Sequence, residues 1–316
     1  MSTAKASEQE PDEGTTGLSL AAKFGLGAFV WLTVAIALYA IFGSEGKNED
    51  FKPQNEFKLD PWVEIKIGAV DLSINKAVLY VWLACVITAG TMIYIAKRMQ
   101  DRPNRVQTLV EGAYDLTYTQ IAKGNMPSAT AAKYFPFVAT LFFFIWFSNM
   151  LGYIPLPTNT HETVDVFGIG FPAFALYAAT ANLSVPLVLT LVVWGGYQIE
   201  GVRQHGIFGH LKGWLPAGVS GIAAGPIFFI EFISQFMRII SLSVRLFANI
   251  LAGHLLILFM GGGLAVLLGI AFLGWVTLPI AIVFFILEVG LIATLQAFIF
   301  ATLTSIYFGE AAAGGH

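Results

Sequence analysis

The stretch SLSVRLFANILAGHLLI, residues 241–257, places an arginine inside a run that otherwise suits lipid. Asn249 follows Arg245 by four residues, and His254 comes five residues later. The whole chain is 56% hydrophobic and 12% charged, with a mean hydropathy of +0.72. Soluble domains carry about 25% charged residues. Because several uncharged runs exceed the roughly 18 residues that mark a membrane helix, the sequence predicts an all-α protein that crosses a membrane several times.

Six apolar spans are predicted along the chain. The fifth, with 35 residues, would be about 50 Å long as one helix. A membrane needs only about 20 residues, so we expect the last two spans to tilt strongly, break or protrude. The spans cover about 20–42, 77–96, 134–154, 170–197, 226–260 and 264–308.

The segments around the spans suggest a simple organisation. Residues 1–19 are polar and acidic, which favours a disordered tail. We expect 20–42 to be an additional N-terminal membrane helix, 43–75 an extracytoplasmic segment and 76–316 the main membrane domain. Between the spans we expect a partly amphipathic surface segment at 104–130, a proline-containing loop at 155–168 and a short polar loop at 200–214.

Basic residues indicate the orientation, because loops rich in lysine and arginine stay in the cytoplasm. The loops after the second and fourth spans carry such residues, whereas 155–168 carries none. Both termini are therefore expected in the cytoplasm. The first residues lack the arginine-rich, acid-poor character of a transit peptide, which favours a bacterial plasma membrane. The basic residues are Lys97, Arg98, Arg102, Arg105, Arg203 and Lys212.

Polar residues form one stripe along the fifth span. At about 100° per residue, a spacing of seven leaves two side chains about 20° apart, so Glu231, Arg238 and Arg245 share a face. His254 lies about half a turn from Arg245 and faces a different neighbour. The stripe is completed by Ser234, Ser241 and Asn249, with Gln235 at its edge.

A charge in mid-membrane costs at least about 2.5–3.5 kcal/mol and usually marks an ion path or proton relay. Arginine keeps its proton under all ordinary conditions. Arg245 therefore cannot carry protons, but it can block them and can stabilise an ionised carboxylate. For Glu231 and Arg238 a structural alternative remains open, in which a Glu–Arg pair joins helices.

The last span supplies possible partners for this stripe. Glu288 is the only charge between 255 and 309, and a buried carboxyl can exchange protons. Gln296 can both donate and accept hydrogen bonds. Simpler roles stay open for both residues: Glu288 as a pairing partner of His254, and Gln296 as a helix–helix contact.

With these residues in view, SLSVRLFANILAGHLLI resembles the signature of subunit a of rotary F-type ATP synthases. LQAFIFATLTSIYF, residues 295–308, resembles the last helix of that family. The resemblance covers roughly residues 76–309. Three further matches are NMLGYIPLPT at 149–158, TANLSVPLVLTL at 180–191 and GIFGHLKGW at 206–214.

The resemblance implies that the last two spans form a long, tilted hairpin against a rotating ring of c subunits. Arg245 matches the essential arginine that faces the ring carboxylate, and Asn249 and Gln296 match polar residues near it. In the family the titratable residue of the last helix often lies seven residues before the glutamine, whereas Glu288 lies eight before Gln296. By the resemblance, the outer half-channel holds His254 and the cytoplasmic half-channel holds Glu231. We also expect Glu288 in the outer half-channel and Arg238 and Ser241 on the proton path, although Arg238 matches no position of the family.

The same resemblance implies the partners. They are the c-subunit ring, the b-subunit peripheral stalk, the remaining ATP synthase subunits, the lipid bilayer and protons, with no nucleic acid. The sequence has no GxxxxGK[ST] pattern. We therefore expect a non-catalytic subunit without catalytic residues, metal or cofactor, because the chemistry of ATP synthesis belongs to the partner head.

Three other classes fit less well. A secondary transporter usually shows an internal repeat with paired broken helices, and none is visible. A haem-binding subunit needs axial ligands within its spans, and of the five histidines only His254 lies deep in a span. A purely structural anchor would gain nothing from a charged stripe that is costly to insert.

Overall fold

The computed structural model describes residues 20–42, 57–67, 70–71, 73–98, 104–166, 169–215, 219, 221–268 and 271–313. The tail expected at 1–19 and the first part of the extracytoplasmic segment, 43–56, lie outside these residues. The helices are α1 (Leu20–Phe42), α2 (Lys76–Arg98), α3 (Arg105–Asp115), α4 (Lys123–Asn125), α5 (Ser128–Leu151), α6 (Ser184–Lys212), α7 (Ala224–Leu258), α8 (Leu264–Leu268), α9 (Ala271–Leu287) and α10 (Ala293–Ala313). The strands are β1 (Lys66–Ile67), β2 (Val70–Asp71), β3 (Leu156–Val166) and β4 (Ile169–Ala175).

The prediction of an all-α membrane protein is confirmed. Within the described residues, five helical stretches are long and apolar enough to cross a membrane, and α1 adds a helix of 23 residues. Large apolar side chains such as Val86, Phe229 and Val283 are exposed on these helices. Such exposure costs little in a bilayer, because lipid tails are as apolar as leucine.

The two longest stretches form a helical hairpin. α7 has 35 residues and continues through a π-helical turn, Phe259–Gly263, where Gly262 adopts a φ of 146°. Only glycine reaches this backbone region readily, and the turn brings α9 back along α7. The returning span, Leu273–Ala313, has 41 residues and is about 60 Å long.

The fourth span differs from the sequence prediction. Residues expected to begin it at 170 instead form an antiparallel hairpin of β3 and β4, and α6 starts only at Ser184. The loop expected at 155–168 is thus mostly strand. Hydropathy cannot separate a short apolar run in a strand from the start of a helix, and Ile169–Ala175 is such a run.

The polar loop expected at 200–214 is also different, because the chain is helical up to Lys212 in two segments that meet at Gly206. Gly206 has a non-helical backbone with a φ of 70°, and the chain reverses direction there. The reversal folds His210 back onto α6, where its Nε2 meets the Gln198 side-chain oxygen and its ring lies on Gly201. A side chain at Gly201 would occupy the space of that imidazole.

The surface segment expected at 104–130 is helical. The Asn104 side chain accepts a hydrogen bond from the Gln107 backbone N–H at 2.9 Å and so caps α3. A π-helical turn, Leu116–Ala122, joins α3 to α4, and it buries Ile121 and Ala122 against the core.

The main core lies where α5, α6, α7 and α10 meet, and it includes Phe142, Leu246 and Phe300. Cys85 lies in an apolar run, which favours a small buried side chain, but it is exposed on α2. A membrane helix can turn apolar residues outward to lipid at little cost, so apolar character does not predict burial here.

Candidate functional site

The site extends between the two ends of the helix bundle, which we name after one residue each. At the Lys212 end α6 and α10 finish and α7 begins, and at the Gly262 end α7 turns into the last span. The polar stripe of α7 runs between these ends. Its middle part, Ser241, Arg245 and Asn249, is exposed.

Arg245 forms no hydrogen bond and no ion pair with any residue that the structure describes. An intramembrane arginine normally faces a protein partner or a water-filled cavity. Within the described residues, Arg245 therefore has neither of the two usual protein contacts of an intramembrane arginine, a hydrogen bond or an ion pair. The neighbouring Gln235 and Ser243 are buried instead, and Ser243 bonds back to the Ile239 carbonyl oxygen at 2.8 Å.

His254 points away from the stripe into the protein and is 3% exposed. Glu288, on the returning span, is 2% exposed and lies directly against the backbone of Gly253. A Cβ at Gly253 would overlap the Glu288 carboxyl group. The structure thus brings His254 and Glu288 to the same part of the core.

We call Tyr153, His254 and Glu288 the buried cluster. The Tyr153 and His254 rings pack with their centroids 4.8 Å apart. Five polar atoms of the cluster are buried without a hydrogen-bond partner in the described structure: the Tyr153 hydroxyl, both His254 ring nitrogens and both Glu288 oxygens. The direct His254–Glu288 pair that the sequence left open is therefore not formed. Buried polar groups are nearly always satisfied by protein or ordered water, so these five atoms require further hydrogen-bond partners.

The helix is locally π-helical where Glu288 begins the turn Glu288–Ile292. A π turn contains one residue more than an α turn, because its hydrogen bonds run from i to i+5. Because of this additional residue, the eight-residue step from Glu288 to Gln296 makes about the same number of helical turns as a seven-residue step in a regular α-helix. Both side chains are buried, although eight residues of a regular α-helix would place them about 80° apart.

A cavity of about 850 Å³ opens at the Lys212 end. Arg238 Nη1 donates to Glu310 Oε2 at 2.7 Å, and its guanidinium carbon lies 4.8 Å from the centre of the Tyr307 ring. Glu231 instead accepts a hydrogen bond of 3.4 Å from Gln235 Nε2. Arg238 is thus paired across helices, but with Glu310. The polar and charged lining residues include Lys123, His205, His210, Glu231, Gln235, Arg238 and Glu310.

Sequence reasoning missed Glu310. The helical spacing could have indicated it, because Glu310 follows Gln296 by fourteen residues. This spacing places the two side chains about 40° apart on one helix. The position of Glu310 became informative only once α10 was packed beside α7.

A second missed group joins α5 to α6. Glu200 is 1% exposed, and Lys133 Nζ donates to its two oxygens at 2.8 and 2.9 Å. The Tyr134 hydroxyl also donates to this carboxylate, and Gln204 Nε2 donates at 3.0 Å. The Tyr134 ring packs on Phe308 of α10 at 4.4 Å, so the group connects three helices.

Comparison with known proteins gives the family. Residues 78–309 match the family model described as ATP synthase A chain. The chain belongs to this family. Among its relatives are the ATP synthase subunits a of Brucella ovis, Brucella canis and Brucella suis. Each is 33% identical over 267 residues, which cover 84% of this chain and 98% of the relative.

Membership of the ATP synthase A chain family makes this a multi-pass membrane protein of the Fo sector, as the resemblance implied. The matched part contains the α7 stripe, the buried cluster and Gln296. Helix α1 precedes it, and Glu310 lies one residue beyond it.

Proposed function

We propose that the chain is the stator subunit that couples transmembrane proton flow to rotation of the c-subunit ring during ATP synthesis. The observation that carries this proposal is Arg245, an exposed arginine in the middle of a 35-residue membrane helix without an ion-pair partner in the described structure. A carboxylate of the ring would supply the missing counter-charge. Ser241 and Asn249 lie beside Arg245 on the same exposed face and would contact the same ring surface.

The proton path has two halves that do not meet within this chain. Protons enter from outside through water at the buried cluster and neutralise a ring carboxylate near Asn249 and Gln296. The neutral carboxyl turns into lipid and, after nearly a full rotation, reaches the cavity at the Lys212 end. There it releases its proton near Glu231. Arg245 stabilises the ionised ring carboxylate and keeps protons from passing directly between the two halves.

Gln296 and the last helix complete this arrangement. Gln296 is buried on α10 beside α7, and the π turn brings Glu288 to the same core. Arg238 and Glu310 balance each other's charge at the cavity of the Lys212 end. The carboxylate of Glu231 is thus the lining acid that is not neutralised by Arg238.

Energy considerations explain why rotation is required. A membrane potential of 100 mV supplies about 2.3 kcal/mol per charge. This is small compared with the cost of making ATP, so each ATP needs several protons. The ring collects these contributions, and this chain needs no catalytic group, metal or cofactor of its own.

The orientation follows from the basic residues near the Lys212 end. Lys97, Arg203 and Lys212 favour a cytoplasmic location for that end. Both termini would then be cytoplasmic, the β3–β4 hairpin would face outside, and the membrane would be the bacterial plasma membrane. The other partners would be the b-subunit peripheral stalk and the remaining ATP synthase subunits.

The test is Arg245→Ala in the assembled complex, measured in inverted membrane vesicles. ATP synthesis and passive proton leak are followed in the same preparation, with the exposed Arg203→Ala of α6 as matched control. We expect Arg245→Ala to abolish synthesis and increase leak, while Arg203→Ala retains both parent values. Normal synthesis by Arg245→Ala would show that the arginine serves packing, and the mechanism would have to be abandoned.

A further inference from the structure

Tyr153 occupies a fixed position between two membrane helices. It lies just beyond α5 and is 6% exposed. Its ring packs against His254 of α7 and, edge-on at 5.8 Å between centroids, against Phe285 of α9. These contacts leave the ring little freedom and determine where its hydroxyl group lies.

The hydroxyl of Tyr153 has no hydrogen-bond partner among the described residues, although it is buried. The same holds for the ring nitrogens of His254 and the carboxyl oxygens of Glu288. The Glu288 carboxyl group lies against Gly253, the residue next to His254, so Glu288 and Tyr153 contact adjacent residues of α7. Buried water typically makes about three hydrogen bonds to such otherwise unsatisfied groups.

We propose that the Tyr153 hydroxyl is a proton-relay group of the outer half-channel and connects His254 to Glu288 through water. This inference rests on the proposed function. A hydroxyl oxygen accepts one hydrogen bond while its own proton is donated to the next oxygen or nitrogen. When a proton arrives at the oxygen, the original hydroxyl proton leaves, so one O–H bond forms as another breaks. Tyr153 ends each passage neutral.

Three other tyrosines of the bundle do not share this arrangement. Tyr197 donates to Gln235 at 3.0 Å, and the Tyr134 hydroxyl donates to Glu200, so both hydroxyls are occupied. The Tyr80 hydroxyl is buried as well, but it lies beside the Thr158 side chain, and its ring packs against Tyr177 at 5.5 Å instead of against His254. Tyr80 is therefore a matched control for the loss of a buried phenol hydroxyl.

The experiment compares Tyr153→Phe with Tyr80→Phe in inverted vesicles from which the F1 head has been removed. A potassium diffusion potential drives protons through Fo, and the initial rate is measured in H2O and in D2O. Rates are normalised to the amount of assembled complex. We expect Tyr153→Phe to conduct about five- to tenfold more slowly, as for the loss of one hydrogen-bonding group, with an altered solvent isotope effect. Tyr80→Phe should stay within about twofold of the parent.

Glu288→Gln in the same assay separates this inference from the proposed function. If Glu288→Gln stops conduction and Tyr153→Phe conducts like the parent, the relay role of Tyr153 is wrong and the outer half-channel stands. If Glu288→Gln itself conducts like the parent, the outer half-channel is misplaced. An equal loss in Tyr153→Phe and Tyr80→Phe would also overturn the relay, because it would indicate a general packing effect.

Discussion

Gly253→Ala should displace Glu288, because the added methyl group would overlap the Glu288 carboxyl group. Neither group can move freely: Glu288 is 2% exposed, and Gly253 lies within α7. Forcing one extra methyl group into a packed core costs about 1–3 kcal/mol. If this cost is met by moving Glu288 out of the buried cluster, proton conduction should fall by roughly 5- to 150-fold.

The assay is ATP-driven proton pumping in inverted vesicles, normalised to assembled complex. Gly225→Ala is the matched control, because it lies on the same helix and a Cβ there meets nothing within 4 Å. The double variant Gly253→Ala/Glu288→Asp should recover part of the activity, since aspartate is shorter by one methylene. Its effect should be non-additive, as expected for residues in contact.

Two results would refute this reasoning. Parent-like pumping by Gly253→Ala would mean that the carboxyl group is not held against α7. A double variant that is as impaired as the additive sum of its single variants would mean that the two positions do not interact. In either case the proximity of Glu288 to His254 would lose its functional meaning.

Two further predictions concern the Lys212 end. Glu310→Gln should slow ATP synthesis less than about fivefold. The Arg238 and Glu310 side chains are 25% and 44% exposed, and such partly solvated ion pairs contribute only about 0.2–1 kcal/mol. A complete loss of synthesis would contradict this prediction. Lys133→Met should lower the thermal unfolding temperature of the purified complex, because it leaves the buried Glu200 carboxylate without its cation. Lys133→Arg should largely restore that temperature, and equal melting of the parent and Lys133→Met would show that the contact between α5 and α6 does not depend on this pair.

The α7 stripe could be predicted from the sequence because α7 is one uninterrupted helix. Its 100° period places Arg245 and Asn249 on one face and turns His254 elsewhere, and the structure has the first two exposed and the third buried. The helical period alone determines which residues share a face of a regular helix, so no tertiary information is needed to predict it.

The position of Glu288 could not be predicted in this way. The π turn at Glu288–Ile292 shifts the phase of the last span by one residue. Such turns depend on how the helix packs against its neighbours, which a single sequence does not show. Tyr153 was missed for a related reason, because its contact with His254 joins residues about one hundred positions apart.

The β3–β4 hairpin shows the limit of hydropathy. Ile169–Ala175 is apolar enough to read as the start of a span, yet it pairs with Leu156–Val166 as a strand. The all-α class and a count of about six spans could nevertheless be predicted, since an apolar run of about 20 residues is long enough to cross a bilayer as a helix.

The central claim is that the exposed face around Arg245 contacts the rotating ring. Disulfide cross-linking tests it most directly, with Asn249→Cys in a Cys85→Ala background and a cysteine beside the ring carboxylate. The account predicts rapid cross-linking that blocks ATP-driven proton pumping and is reversed by reductant, whereas Val188→Cys, exposed on α6, forms no such bond. Absence of a cross-link at Asn249→Cys, with efficient cross-linking at Val188→Cys, would place the ring on another face and contradict the account.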